Sequence, residues 1–509
     1  MVSRARTVAV VGLRAVDVTV EAHAGSGLPG FSVIGSSGSA AREASERVRT
    51  ALVASRYPLR ARKVLLSLAP ADVPKAGARY DLAMAVAALV ELGHLPEVTA
   101  AALARTAMLG ELALDGALRP VPGVLPSAAS LPGRGVNRLL VAEANAAEAA
   151  LVGGLEVVAV ATLSEAAAVL TGAAPAREGP GAAQPQRPGS EPAGPDLADV
   201  RGQPEARRAL EVAAAGAHHL LLLGPPGCGK SMLARRLPGV LPPLDERAAL
   251  EVMSVRSVAG LLGEQADGTV LDRTAPLRAP HHGISAAALL GGGSGVARPG
   301  EVSLAHQGVL FLDELLEWSR ATLEGLRQPL EEGVVRVSRS RATVAYPSRF
   351  LLVAASNPCP CGGHRCGCSD DVISTYRTRL SGALADRIDL APRLLPLSAS
   401  DLLSGAPAEA SAAVAARVAA ARAVAEARGG APNARARLEP LRRTAAPVAL
   451  RTLARAVEAG RLTGRGYDRA LRVARTCADL EGAQAVGREH VLEALAHRGA
   501  LTAVREGAA

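Results

Sequence analysis

Over residues 1–171 the apolar positions recur in two rhythms. Val16, Val18 and Val20 alternate with polar residues, the period of a half-buried strand. Val64 to Leu68 is a short apolar run, and Leu82 to Leu92 has the length and pattern of an amphipathic or buried helix. Strand is again followed by helix at Arg138-Leu139-Leu140-Val141 with an alanine-rich stretch behind it, and at Val157 to Val160 with Ser164 to Leu170 behind it. This predicts an α/β domain over 1–171. Between 172 and 196 Gly, Pro, Ala, Gln and Ser dominate, with too little apolar surface to offset the entropy of ordering, so a flexible linker is expected. Buried-strand runs return over 197–396, and 397–509 reads as helices only.

The sharpest break in the pattern follows the run His219-Leu220-Leu221-Leu222-Leu223. There Gly224-Pro225-Pro226-Gly227-Cys228-Gly229-Lys230-Ser231 separates a strand from the helical stretch Met232 to Leu237. Strand, glycine loop and helix in this order are the context of a P-loop. Its glycines let backbone N–H groups turn toward phosphate oxygens, and the helix start adds its positive end. Of 57 basic residues only Lys63, Lys75 and Lys230 are lysines. A compact ammonium suits the space between two phosphates better than a planar guanidinium, which gives a chemical reason for the exception at 230.

A P-loop needs a second anchor for Mg²⁺ and a group that orients water. Val309-Leu310-Phe311-Leu312 predicts a buried strand ending in Asp313 and Glu314. Asp313 would share the Mg²⁺ shell with Ser231, and Glu314 would orient or activate water. Phe350 to Ala355 predicts another buried strand, ending in Ser356-Asn357, where a neutral amide could reach the γ-phosphate or the water. This order of parts resembles an AAA+ ATPase, with Asn357 at the sensor-1 position.

Longer strings narrow the resemblance. Arg278-Ala279-Pro280-His281-His282-Gly283-Ile284-Ser285, Gly291-Gly292-Gly293-Ser294, Arg298 to His306 and Gly308 to Glu314 are similar to the magnesium-chelatase-like AAA+ family known as YifB or ComM, over nearly the whole chain except the linker. The resemblance implies an α/β fold: an AAA+ P-loop ATPase core, an N-terminal Lon-protease-like α/β domain and a C-terminal helical lid domain. It further implies ATP and Mg²⁺ as cofactors, a hexameric ring, and DNA, branched or single-stranded, as the partner in branch migration or a helicase-like role. Two other readings stay open: a metal-chelatase motor subunit, and an ATP-gated scaffold without translocation.

By the same resemblance, Arg387 in Ala385-Asp386-Arg387-Ile388-Asp389 would be an arginine finger reaching a neighbouring subunit's nucleotide. Arg472 would be the sensor-2 arginine, with Arg475 as the alternative. Pro74 to Asp81 and Gly110 to Gly116 resemble the Lon-like domain. Where a peptidase would carry serine the chain has Arg79, and Val121 to Ser130 holds no lysine, so the fold is expected without peptidase activity.

Charge adds little. The formal net charge of +9 permits a polyanionic partner, and residues 401–509 hold 17 arginines against 11 acidic residues, yet no run of five like charges occurs. Val334 to Val344 alternates as a strand with interspersed arginines, a hairpin that could meet DNA phosphates or simply face solvent. Neither a signal-peptide pattern nor 18 consecutive apolar residues occur, so a cytoplasmic protein without membrane association is expected. Four of the six cysteines, Cys359, Cys361, Cys366 and Cys368, fall within ten residues, with His364 between the pairs. In a reducing compartment they suit tetrahedral Zn²⁺, and free or redox-active thiols are the alternative. Cys228 and Cys477 read as packing residues. His281 and His282, as neighbours on an extended chain, would face opposite ways and so form no two-ligand metal site.

Overall fold

The computed structural model describes residues 2–26, 30–35, 38–59, 62–75, 77–96, 99–175, 177, 194–262, 271–293, 297–339, 342–362, 366–398, 408–499 and 501. Most of the expected linker, together with Ser294, Ser340, Arg341 and His364, lies outside them. Among the described residues no helix is long and apolar enough to cross a membrane.

The N-terminal part is built on a seven-stranded mixed sheet. Its order is Gly30–Ile34, Lys63–Ala69, Arg14–Gly25, Ser3–Val11, Thr106–Leu109, Arg138–Ala142 and Glu156–Val160. The first pair is parallel, the next two antiparallel, and the remaining three parallel. The helix Asp81–Glu91 is buried over all of Asp81 to Leu89, which explains why its sequence is apolar on every side. Asp81 is kept in that core by Arg47, 2.8 Å away.

The P-loop part holds a parallel sheet ordered Leu220–Leu223, Leu351–Ser356, Val309–Leu312, Leu277–Arg278. Single parallel bridges, Leu220 to Leu390 and Leu223 to Arg393, add a further extended segment outside the P-loop strand. Every residue of the three central strands is buried, as expected when both faces of a parallel sheet are covered. On one face the helix Pro204–Gly216 packs with the C-terminal helices Ser411–Gly429, Gly464–Leu480 and Arg488–Ala496 in one continuous core. Cys228 and Cys477 are both buried within that core. The helical region is tied to the sheet by Arg469 on Asp389 at 2.6 Å and His218 on Thr476 at 2.8 Å.

The two parts meet along the helix Glu246–Ala259. Leu125, Met253 and Leu262 form a small apolar cluster there, Gly123 N donates to Ser257 O at 3.0 Å, and the Ser257 hydroxyl donates to Glu148. A second contact lies at the turn after Val11, where a Cβ on Gly12 would come within 2.7 Å of Val344.

Candidate nucleotide site

Strand register fixes the site. Leu223 pairs with Ser356 and Leu312 with Ala354, so Gly224, Asp313 and Asn357 all emerge at the same C-terminal edge of the sheet, where parallel sheets receive ligands. The loop glycines are needed for different reasons. A Cβ on Gly224 would stand 2.8 Å from both Cys228 Sγ and Leu394 Cβ, whereas Gly227 and Gly229 have φ of 77° and 95°. The helix Lys230–Arg236 starts directly behind the loop.

Lys230 Nζ donates to the carbonyls of Gly224 at 2.7 Å and Pro225 at 2.9 Å, and to Asn357 Oδ1 at 3.0 Å. Burial holds this ammonium below the ordinary lysine range, against the opposite pull of Cys228, Asp313 and Glu314. The Ser231 hydroxyl donates to Asp313 Oδ2 at 2.8 Å. Two oxygens on adjacent corners of an octahedral Mg²⁺ shell lie about 2.9 Å apart, so the pair fits that ion. The neighbours Lys230 and Ser231 thus each bond a residue at a strand end, Asn357 and Asp313 respectively. Pro225 and Asn357 line a cleft of about 920 Å³ that also takes in Gly224, Arg208, Arg393 and Glu493.

Glu314 occupies a left-handed backbone conformation, φ 50°, which a β-carbon makes costly and which concentrates at functional sites. Its carboxylate meets His282 Nδ1 at 3.1 Å. The only tryptophan, Trp318, is buried and donates from Nε1 to Asp313 O at 3.0 Å, bracing the turn that carries both acids. His281 and His282 differ from the expectation of opposed side chains. They lie at a turn and their rings come together, centroids 4.1 Å apart and planes tilted by 33°, because the chain is not extended there.

The arginines singled out in sequence lie elsewhere. Arg387 is buried, bonded to Glu331 and to Ala383 O, and shares a small pocket with Arg465, Arg469 and Arg472. Arg472 donates to Ala436 O at 3.1 Å and does not line the P-loop cleft. Arg475 is 1% exposed and holds Asp479 and the carbonyls of Ala483 and Gln484, an internal brace of the helical region. In the cleft wall stand instead Arg208 and Glu493, paired at 2.8 Å, which sequence reasoning did not single out.

Three further expectations meet the structure. The basic stretch is an antiparallel hairpin, Val334–Arg339 with Ala342–Pro347. Val335, Val337, Val344 and Tyr346 are buried and Arg336 is exposed. The four thiols of Cys359, Cys361, Cys366 and Cys368 all lie within 4.8 Å of one another. Arg79 donates to Gly123 O at 3.1 Å and to Ser127 Oγ at 2.9 Å, so the position where a peptidase would carry its serine holds a buried, hydrogen-bonded guanidinium.

The magnesium chelatase subunit ChlI family matches residues 196–402. Two companion families, subunit ChlI of Mg-chelatase and its C-terminal region, match residues 20–145 and 408–498. A protein of Mycobacterium tuberculosis is 44% identical over 97% of this chain and 98% of its own length. YifB of Salmonella typhimurium is 42% identical over 97% and 96%, and competence protein ComM of Haemophilus influenzae is 39% identical over 96% of each.

Proposed function

The chain belongs to the YifB/ComM magnesium-chelatase-like family, and from that premise we propose that it is an ATP-hydrolysing AAA+ ring motor that acts on DNA. One observation carries the ATPase reading: the adjacent residues Lys230 and Ser231 bond Asn357 and Asp313 respectively, beside a cleft lined by Gly224, Pro225 and Asn357 that is large enough for a nucleotide. Bound MgATP supplies the transferable phosphoryl group and the metal that neutralises it. The P-loop backbone and Lys230 would hold the phosphates, and Ser231 and Asp313 would hold Mg²⁺. Asn357 would fix the γ-phosphate end, and Glu314 would orient water once His282 releases it.

Arg387 and Arg472 share a pocket that is not the P-loop cleft. In this proposal both serve the nucleotide of the adjoining subunit, which requires Arg387 to exchange Glu331 for phosphate oxygens when a hexameric ring forms. The competence name of the Haemophilus relative supports nucleic acid as the partner, which the net charge of +9 permits. The hairpin Val334–Arg339 with Ala342–Pro347 is a candidate contact, although the turn at Gly12 covers part of it near Val344.

The test is ATP hydrolysis with and without a four-way DNA junction, paired with gel retention and strand displacement. Stimulated hydrolysis with displacement is expected. Hydrolysis indifferent to DNA, with no retention, overturns the DNA assignment. It then favours a chelatase-type motor or an ATP-gated scaffold, which chelation assays would separate.

A further inference from the structure

Cys359 follows Asn357 by two residues, so the cysteine loop is a direct continuation of the strand Leu351–Ser356. Its sulfurs are not arranged as two disulfides. Cys359 Sγ lies 3.3 Å from Cys361 Sγ, and Cys361 Sγ lies 3.7 Å from Cys366 Sγ, far beyond an S–S bond of about 2.05 Å. All four converge within 4.8 Å. Four thiolates at about 2.3 Å from a tetrahedral Zn²⁺ have sulfur–sulfur edges of about 3.8 Å, so the cluster already has nearly the dimensions of a ZnS₄ site.

The loop is also a wall of the nucleotide cleft. Cys359 and Cys366 line it with Gly224, Pro225 and Asn357. Gly362, in a left-handed conformation at φ 59°, is pressed so close that a Cβ there would stand 3.2 Å from Pro226 Cγ and 3.7 Å from Asn357 Nδ2. The loop backbone between the two cysteine pairs therefore rests on both the P-loop and the amide that bonds Lys230.

We propose that Cys359, Cys361, Cys366 and Cys368 form a tetrathiolate Zn²⁺ site whose occupancy fixes Pro226 and Asn357 against the nucleotide. On binding, the thiol protons pass to solvent and four S–Zn bonds form, with no change of oxidation state. The metal site stands on the sulfur geometry alone, and its coupling to nucleotide rests on the ATPase reading. Zinc closes the loop into a rigid ring of chain; without it, Gly362 and Asn357 regain backbone freedom beside the phosphates.

The full-length protein, purified under reducing conditions, is measured by plasma mass spectrometry, with Co²⁺ substitution as an optical probe. About one zinc per chain is expected, with thiolate-to-cobalt charge-transfer and tetrahedral d–d bands. Cys361→Ser with Cys366→Ser alters the two exposed thiols and should abolish both signals. Wild-type protein stripped with a mercurial and reloaded with Zn²⁺ gives the second arm, independent of how the variant folds. Stripping should weaken ATP binding by about two- to tenfold, the effect of misplacing one hydrogen bond, and reloading should restore it. Iron in place of zinc, or no metal retained after reconstitution, overturns the site. Full zinc with unchanged nucleotide affinity on stripping overturns the coupling. Zinc retained in a protein that binds no nucleotide at all would instead defeat the ATPase reading and leave the metal site intact.

Discussion

Lys230→Ala offers the most quantitative check on the nucleotide site. The ammonium makes three bonds in the free protein, to Gly224 O, Pro225 O and Asn357 Oδ1. Phosphate must displace these before it can be held. Two charge-assisted bonds to β- and γ-phosphate oxygens are worth about 1.5–3 kcal/mol each, or about 3–6 kcal/mol together. The bonds given up return roughly 1 kcal/mol apiece, less where water in the open cleft takes over. With water replacing part of what is given up, the net contribution is roughly 1–3 kcal/mol, and its loss weakens ATP binding about 5- to 150-fold. Titration calorimetry at fixed Mg²⁺ reads this directly. The variant should stay folded, because water from the cleft can reach the vacated carbonyls, and a thermal melt run alongside checks that. An ATP affinity within about threefold of wild type, in a folded variant, would refute the phosphate role of Lys230.

Glu314→Gln keeps the side-chain shape while removing the charge that orients water. It should bind ATP normally, stall hydrolysis and accumulate the assembled form on size exclusion; hydrolysis at the normal rate defeats the assignment. Arg387→Ala should lower turnover by about three to five orders of magnitude. In mixtures, its intact P-loop should be rescued by subunits that carry Arg387 but a disabled Lys230. Failure of that complementation sinks the action across subunits. His219 tests a structural point at the P-loop strand. Its Nδ1 accepts from Leu352 N at 3.1 Å, and burial holds its pKa down at about 4. The stability it contributes is complete above the unfolded value of about 6.5 and is lost as pH falls toward 4. Between pH 7.5 and 5 the wild type should lose up to about 2 kcal/mol, less to the extent that water reaches the ring. His219→Gln, which keeps an acceptor, should not show that loss in urea unfolding, and parallel curves for the two proteins would contradict the linkage.

Much of the core was legible because its signals are local. Leu220–Leu223, Val309–Leu312 and Leu351–Ser356 are uninterrupted apolar runs, and each is followed at once by the polar group it presents. What escaped depends on contacts between distant segments. The pairing of His282 with Glu314 needs a turn that no periodicity announces. Arg208 and Glu493 reach the cleft wall from helices 285 residues apart. The arginines were hard to sort for another reason. In a chain with so few lysines, arginine serves as surface charge, helix brace and ligand alike, and residue type alone cannot separate Arg472 at a pocket from Arg475 in the interior.

Arg79 and Ser127 bear on how the interior of the N-terminal half is held together. The guanidinium fills the ground between the turn at Gly123 and the helix Val124–Ala129, and its bonds to Gly123 O and Ser127 Oγ help hold those segments together. Substituting serine at 79 would leave an empty space there and remove both guanidinium bonds, leaving the Ser127 hydroxyl, which donates to Gly123 O at 2.7 Å, to tie the turn to the helix alone. The guanidinium thus commits that ground to packing, and a smaller side chain at 79 would loosen this half of the chain rather than give it a reactive group.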